Sequence, residues 1–190
     1  MKQNQNRTMW MCAVLCSILF SIQLNAQEVS HRFKSAGGIT GFGFGENTNT
    51  RYQPIFFAGD FSWQFDKKIK KDFLAWYAEP QFNLVLTDHP LDIEYGTNLG
   101  LRNYIRINPG LYLYQMIGSG PHYISADVER QVKGFIFSDN LAVGAYTKLN
   151  SKNLFLNMQF RLRHISNAGL NHPNGGINTF NILVGLAHFR

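Results

Sequence analysis

The feature that most constrains this chain is a strict two-residue alternation of apolar and polar side chains over long stretches. Successive side chains of a β-strand point to opposite faces of the sheet, so this alternation predicts strands with one apolar and one polar face. In the stretch 91–107, the apolar face carries Ile93, Tyr95, Leu99, Leu101, Ile105 and Ile107, and the polar face carries Glu94, Asn98, Arg102, Tyr104 and Arg106. The stretches 73–87 and 154–167 alternate in the same way, so alternating strands are the predicted building unit.

Turn-forming residues divide the chain into eight such stretches. The predicted strands cover residues 32–45, 51–65, 73–87, 91–107, 110–124, 134–149, 154–167 and 178–190. Most are longer than the ~5–6 residues usual in globular sheets, and they reach the ~9–11 residues that a tilted strand needs to cross a bilayer. The predicted fold is all-β, an eight-stranded antiparallel up-and-down transmembrane β-barrel over residues 27–190. Eight strands leave an interior just filled by side chains, so no open pore is expected.

The low charge of the chain favours a membrane barrel over a soluble one. Charged residues make up 16% of the chain, against roughly 25% in an ordinary soluble domain. A soluble barrel would place its apolar face inside, whereas a membrane barrel places that face against lipid and its polar face inside. The nearly pure apolar face favours the membrane barrel, with a soluble lipid-binding barrel as the alternative. The formal net charge of +6 comes without a basic run, so no nucleic-acid partner is expected.

Residues 1–26 have the pattern of a secretory signal peptide. Lys2 and Arg7 supply the positive start, and the apolar segment 10–22 is shorter than the ~20 residues of a spanning helix. Cleavage is expected after Ala26, and both cysteines of the chain precede it. A membrane anchor is the alternative interpretation. An exported barrel of this kind is expected in the bacterial outer membrane.

The connections between strands predict the orientation of the barrel. With periplasmic chain ends, the connections 66–72, 108–110 and 150–153 fall on the periplasmic side, and the last two are as short as the architecture expects. The remaining connections then face outward. The one near His89 is shorter than an outward loop usually is.

Potential chemistry is concentrated at the end of the seventh predicted strand. His164 and Ser166 are two residues apart and therefore share a face, and the alternation places them in line with Phe160 and Leu162 on the apolar side. Asn178 continues the apolar row of the neighbouring eighth strand. Polar residues in a lipid-facing row are costly unless they lie at the interface or have a function. The three residues are therefore predicted to cluster at the outer rim, at the level of lipid head groups.

A serine and a histidine on one face have a plain chemical interpretation. A serine hydroxyl becomes a good nucleophile when a base within hydrogen-bond reach takes its proton, and His164 can act in this way on Ser166. A third group must then fix the imidazole. Asn167, its neighbouring N–H groups and the following glycines, Gly169 among them, could donate hydrogen bonds to an oxyanion. The alternative is that His164 and Ser166 are interfacial polar residues that end a strand.

The same segment carries a family resemblance. The stretch 164–169, His-Ile-Ser-Asn-Ala-Gly, with the Pro-Asn and Gly of 173–176, resembles the signature of the lipid A 3-O-deacylase family. The stretches 79–81, 118–123 and 134–140 are also similar to that family. The resemblance implies an eight-stranded outer-membrane barrel that hydrolyses the ester-linked acyl chain at position 3 of lipid A. Its substrate and partner would be the lipopolysaccharide of the outer leaflet.

The resemblance also implies roles for individual residues. His164 would be the general base, Ser166 the nucleophile and Asn167 an oxyanion contributor. Asn178 stands where the family has an acid, and an amide can accept the imidazole N–H but supplies no negative charge. The last acid of the chain is Asp139, which shares the apolar face but belongs to a strand two removed from the eighth.

Two hypotheses follow. One is a lipid A esterase in which Asn178 orients the histidine, and the other is a non-catalytic structural or adhesive barrel. The sequence indicates neither a metal nor a cofactor.

Overall fold

The structure is a computed structural model that describes residues 34–46, 51–65, 71–88, 91–149 and 152–190. The predicted signal peptide 1–26 and the first residues of the predicted barrel, 27–33, lie outside the described residues. Parts of the connections 66–72 and 150–153, and His89, also lie outside them.

The described residues form nine strands. They are β1 (Lys34–Glu46), β2 (Gln53–Gln64), β3 (Asp72–Leu86), β4 (Asp92–Asn108), β5 (Leu111–Ser119), β6 (Pro121–Ile124), β7 (Gly134–Lys148), β8 (Leu154–Ser166) and β9 (Ile177–Phe189). Among these residues, no helix has the length and apolar character to cross a membrane.

The nine strands close into a barrel with eight sides. All pairings are antiparallel, and β1 pairs with β9, which joins the two ends of the sheet. The short β5 and β6 both pair with β4 on one side and β7 on the other, in the same register before and after Gly120. They therefore form a single side of the barrel, and the predicted eight-stranded antiparallel architecture is confirmed.

The predicted fifth strand, 110–124, is interrupted at Gly120. A Cβ atom on Gly120 would lie 1.8 Å from the carbonyl oxygen of Thr97, so the two backbones approach more closely than any other residue would permit. The Gly120 carbonyl accepts a hydrogen bond from the N–H of Ser138 at 3.0 Å, on the β7 side. The interruption is a local irregularity that leaves the sheet continuous.

The connections alternate between the two ends of the barrel. One end, called the loop end below, carries the two long connections 125–133 and 167–176. The other end carries the tight turn 109–110, in which the side-chain oxygen of Asn108 accepts the Gly110 N–H at 2.8 Å. Because the strands run up and down, Ser166 at the end of β8 lies at the loop end.

The polar face of the strands points into the barrel. Glu94 and Arg102 on β4 are fully buried, whereas Leu99 on the same strand is 55% exposed. The other strands alternate in the same sense, so large apolar side chains cover the outside of the molecule. This is the reverse of a soluble barrel and matches the orientation that the sequence favours.

Arginine–carboxylate pairs cross the interior at several levels. They join Arg102 to Asp60, Arg161 to Glu79 and Arg163 to Glu94. The interior ion-pair network therefore includes Arg161, Arg163, Glu79 and Glu94. Tyr146 also donates a hydrogen bond to Asp60. Paired charges and tyrosines thus occupy the interior, as expected for a barrel of eight strands.

Candidate active site

The structure brings His164 and Asn178 together on the outer face of the barrel. They lie directly opposite each other in the register of β8 and β9. His164 Nδ1 and Asn178 Oδ1 are 2.7 Å apart. His164 and Ser166 are both half-buried and share the outer face. The three residues that the sequence predicts to cluster therefore lie at one end of two neighbouring strands.

The hydrogen bond between these two side chains fixes which nitrogen of the His164 imidazole carries a proton. An amide oxygen can only accept, so Nδ1 of His164 must be the donor and carry a proton. In the neutral ring, Nε2 is then the free acceptor, which is the atom that a general base uses. Asn178 thus fixes the orientation of the imidazole through a neutral acceptor.

Ser166 lies one pleat further along β8 than His164. Within the described residues, no hydrogen bond joins Ser166 Oγ to the imidazole. Catalytic hydrogen bonds are often long before substrate binds and tighten in the complex.

Gly176 provides the space beside the histidine ring. Its φ of +65° is in the left-handed region, and a Cβ atom there would lie 2.5 Å from Cε1 and 2.9 Å from Nε2 of His164. A side chain at this position would therefore push against the edge of the ring that carries the free nitrogen. Gly176 is a residue that both the turn and the histidine require.

Asn167 organises the connection 167–176. Its backbone N–H donates to Asn174 Oδ1 at 2.9 Å, and its side-chain Nδ2 donates to the carbonyl of Asn171 at 2.8 Å. Its Oδ1 accepts the Gly169 N–H at 3.0 Å. The two residues predicted as oxyanion donors, Asn167 and Gly169, are thus joined to each other, and their backbone N–H groups are bonded within the loop.

A second connection holds this loop in place. The N–H of Gly175 donates to the carbonyl of Arg130 at 2.7 Å, and Arg130 Nη2 donates back to the carbonyl of Gly175 at 3.0 Å. The N–H of Val132 also donates to the carbonyl of Pro173 at 3.3 Å. The loop that follows Ser166 is therefore fixed by contacts with residues 125–133.

The inner face of β8 anchors the strand beneath the site. Arg163, which precedes His164, is buried and pairs with Glu94, and its Nε donates to Ser138 Oγ at 2.8 Å. Rigid support of this kind holds catalytic side chains in place better than a loop does. The ion pairs inside the barrel therefore fix the backbone that presents His164 outside.

Apolar side chains surround the site on the outer face. Phe137 on β7 lies opposite Ser166 in the register. Leu162 on β8 and Phe180 on β9 lie opposite each other one step further from the loop end. All three are exposed. The candidate site therefore lies near the loop end of an apolar outer surface.

The sequence pattern did not reveal one neighbour of the site. Asp139 on β7 lies directly opposite His164, on the side away from Asn178. It is exposed, and its Oδ1 accepts the hydroxyl of Ser119 at 2.5 Å. The alternation shows that Asp139 is on the outer face, but only the register between strands shows that it adjoins His164.

These features define a class of protein: a barrel with a polar interior and an apolar exterior that carries a histidine–serine pair at the edge of its apolar surface. The model of the family described as lipid A 3-O-deacylase (PagL) matches residues 59–187. The chain belongs to this family, whose members are lipid A deacylases. A comparison with curated proteins found no match.

One solved structure supports the fold. The crystal structure of the outer membrane enzyme PagL superposes with a TM-score of 0.57 at 17% identity, over 80% of this chain and 97% of that one. The attachment invasion locus protein Ail of Yersinia pestis gives a TM-score of 0.45 at 11% identity, over 84% of this chain and 99% of that one.

Proposed function

We propose that this protein is an outer-membrane serine esterase that removes the ester-linked acyl chain at position 3 of lipid A. The observation that carries the proposal is the hydrogen bond of 2.7 Å between His164 and Asn178, on the outer face and two residues from Ser166. Family membership supports the substrate. The apolar exterior supports a location in the membrane, where the site would meet lipids from the side.

In the first step, His164 acts as general base. Its Nε2 takes the proton of Ser166 Oγ while the oxygen attacks the carbonyl carbon of the ester. The carbonyl oxygen becomes an oxyanion, and the imidazole becomes an imidazolium whose orientation Asn178 maintains. When the intermediate collapses, the carbon–oxygen bond to the sugar breaks, and the leaving alcohol takes the proton from Nε2.

In the second step, water releases the acyl chain. His164 takes a proton from water, the hydroxide attacks the acyl-serine ester, and Ser166 Oγ recovers the proton as the carboxylic acid leaves. The products are the deacylated lipid and a free fatty acid. The reaction is a hydrolysis and needs no oxidant or reductant.

Asn167 and Gly169 are the proposed oxyanion residues. Their backbone N–H groups donate to Asn174 Oδ1 and Asn167 Oδ1 in the absence of substrate. A developing oxyanion is a stronger acceptor than an amide oxygen, so it would compete for these donors. A shift of this loop toward the substrate is part of the proposal.

The proposal is tested by the mass of lipid A after incubation with the purified protein in vesicles. We expect the loss of one hydroxyacyl chain, with Ser166→Ala and His164→Ala lowering the rate by roughly 10³-fold or more. His188→Ala is the matched control, because His188 is exposed on the outer face of β9 at the opposite end of the barrel. Identical lipid A spectra for wild type and Ser166→Ala would reject the esterase and favour a non-catalytic structural or adhesive barrel.

A further inference from the structure

A polar row crosses the outer face at the level of the histidine. His164 lies opposite Asn178 on one side and Asp139 on the other. Asn178 in turn lies opposite Glu46 on β1. Asp139 is bonded to Ser119 on β5. The polar residues Ser119, Asp139, His164 and Asn178 thus line up on four consecutive sides of the barrel, at the edge of an otherwise apolar surface.

The hydrogen-bond partner of His164 does not supply a negative charge, which the proposed reaction needs near the imidazole. When the imidazole takes the serine proton it becomes a cation, and a carboxylate normally stabilises that cation. Asn178 accepts the Nδ1 hydrogen bond but is neutral. A negative charge elsewhere in the row would supply the missing stabilisation.

We propose that Asp139 is a positioning residue that supplies this negative charge to His164 from the strand opposite Asn178. The proposal rests on the proposed esterase function. Residues directly opposite in an antiparallel pair have Cβ atoms about 4.5–5.5 Å apart, which is close enough for a strong Coulomb interaction at a partly apolar surface. In a triad, one acid both orients the ring and supplies the charge. Here Asn178 orients the ring and Asp139 supplies the charge.

The surroundings of Asp139 keep its charge available. Ser119 on β5, on the side of β7 away from His164, donates a hydrogen bond to Oδ1, and no described residue donates to Oδ2. Among the described residues, no lysine or arginine forms an ion pair with Asp139. In contrast, Glu79 and Glu94 point into the barrel and pair with Arg161 and Arg163.

Glu46 is the other acidic residue whose backbone is in register with this row. It lies opposite Asn178 rather than His164, so its backbone is two strand spacings, about 10 Å, from that of the histidine. Asp139 is one spacing away, about 5 Å. Since the Coulomb interaction weakens with distance and with screening, Asp139 is favoured. The same comparison makes Glu46→Gln a matched control with an equal change of charge.

The test measures kcat and KM on lipid A vesicles. Asp139→Asn keeps the shape and an acceptor for Ser119, and we expect it to lower kcat by roughly tenfold or more with KM within about twofold. Asp139→Glu is expected to retain most of the activity, and Glu46→Gln to change kcat by no more than about twofold. Thermal unfolding of each variant verifies that the barrel is intact.

A rescue experiment separates charge from structure. In an Asn178→Asp background the new carboxylate contacts Nδ1 directly, so Asp139→Asn should then cost about threefold or less. A merely structural role of Asp139 would give the same loss in both backgrounds and would overturn the proposal. A loss seen in KM alone would also overturn it, because Asp139 would then act on substrate binding.

The remaining outcomes distinguish this proposal from the function on which it rests. If Ser166→Ala abolishes activity and Asp139→Asn leaves it intact, the esterase stands and the role of Asp139 is wrong. If Glu46→Gln has the larger effect, the charge reaches the histidine through Asn178 and the assignment to Asp139 is wrong. If wild type and Ser166→Ala are equally inactive, both proposals fail.

Discussion

The polar residues on the two faces of β8 differ in the partners that they have. On the inner face, Arg161 and Arg163 are buried, and each is neutralised by a carboxylate from across the barrel. On the outer face, His164 has a neutral amide as its hydrogen-bond partner, and Ser166 follows it beside apolar side chains. The inner charges pair with one another, whereas the outer residues leave a serine hydroxyl and an imidazole nitrogen accessible from outside the barrel.

This difference separates stability from function along a single strand. The paired interior charges fix the backbone and are closed to any ligand. The outer residues contribute little packing and occupy one end of an apolar face, where polar groups would be replaced by apolar ones if only stability mattered. Substitutions of the inner charged residues should therefore change unfolding, and those of the polar residues at the loop end of the outer face should change activity.

The largest effect is expected for Arg161→Ala on the inner face. It leaves the buried Glu79 without a positively charged partner, since Arg161 Nη2 bonds both carboxylate oxygens at 2.6 and 2.8 Å. Removing one member of a buried pair costs about 3–5 kcal/mol. Urea unfolding of the barrel in vesicles measures the loss. The double variant Arg161→Met with Glu79→Gln should recover most of it, and a failure to recover would mean that packing rather than charge is responsible.

The second effect concerns the apolar part of the outer face. Met158 lies near the middle of β8 and is 53% exposed. If that face contacts the hydrocarbon of a bilayer, Met158→Lys should cost about 2–4 kcal/mol in vesicles. His188→Lys, on the outer face near the end of β9, should cost only about 0–1 kcal/mol. Equal costs at the two depths would contradict the membrane placement of the barrel.

The same contrast explains what the sequence could predict. The alternation identifies eight sides of the barrel, which face is polar, and the predicted grouping of His164 with Asn178, because side-chain direction depends on a period that can be read along one strand. The break at Gly120 is not visible in that period, since it depends on how closely the backbone of Thr97 approaches.

The site was predictable where it follows one strand and not where it depends on register. Asp139 lies beside His164 because β7 and β8 pair with a particular offset, and no pattern within either strand contains that offset. The hydrogen bonds that join Asn167 to Asn171 and Asn174 arise from the fold of the connection, so the alternation along the strands does not predict them either.

The third prediction concerns a substitution, Gly176→Ala, that perturbs the outer face without removing a polar group. In Gly176→Ala, the added Cβ would lie 2.5 Å from His164 Cε1, so the ring must shift from the position in which it bonds Asn178. We expect activity to fall by roughly 10²-fold, because small displacements of a catalytic group have effects of that size. The rate of deacylation and the thermal unfolding temperature are both measured.

Gly134→Ala is the control for that variant. Gly134 also has a positive φ, +120°, but a Cβ there meets nothing within 4 Å. Both substitutions introduce backbone strain, of order 1–3 kcal/mol, but only Gly176→Ala should affect activity beyond its effect on unfolding. Similar losses of activity in the two variants would mean that strain, rather than contact with the imidazole, is the cause.

The smallest predicted effect is a gain in kcat for Asn178→Asp. It tests the difference between the inner arginines, which have charged partners, and His164, whose partner is neutral. Asn178→Asp retains an acceptor for Nδ1 of His164 and adds the negative charge that the inner pairs possess. Because Asp139 already adjoins the histidine in the proposed mechanism, the added charge should raise kcat only roughly threefold to tenfold. The gain should be larger when Asp139 is replaced by asparagine, because the carboxylate at position 178 then has no second carboxylate at position 139 to share the stabilisation of the imidazolium. Deacylation rates of the four combinations measure this coupling, and equal gains in both backgrounds would mean that Asp139 and Asn178 act on the histidine independently.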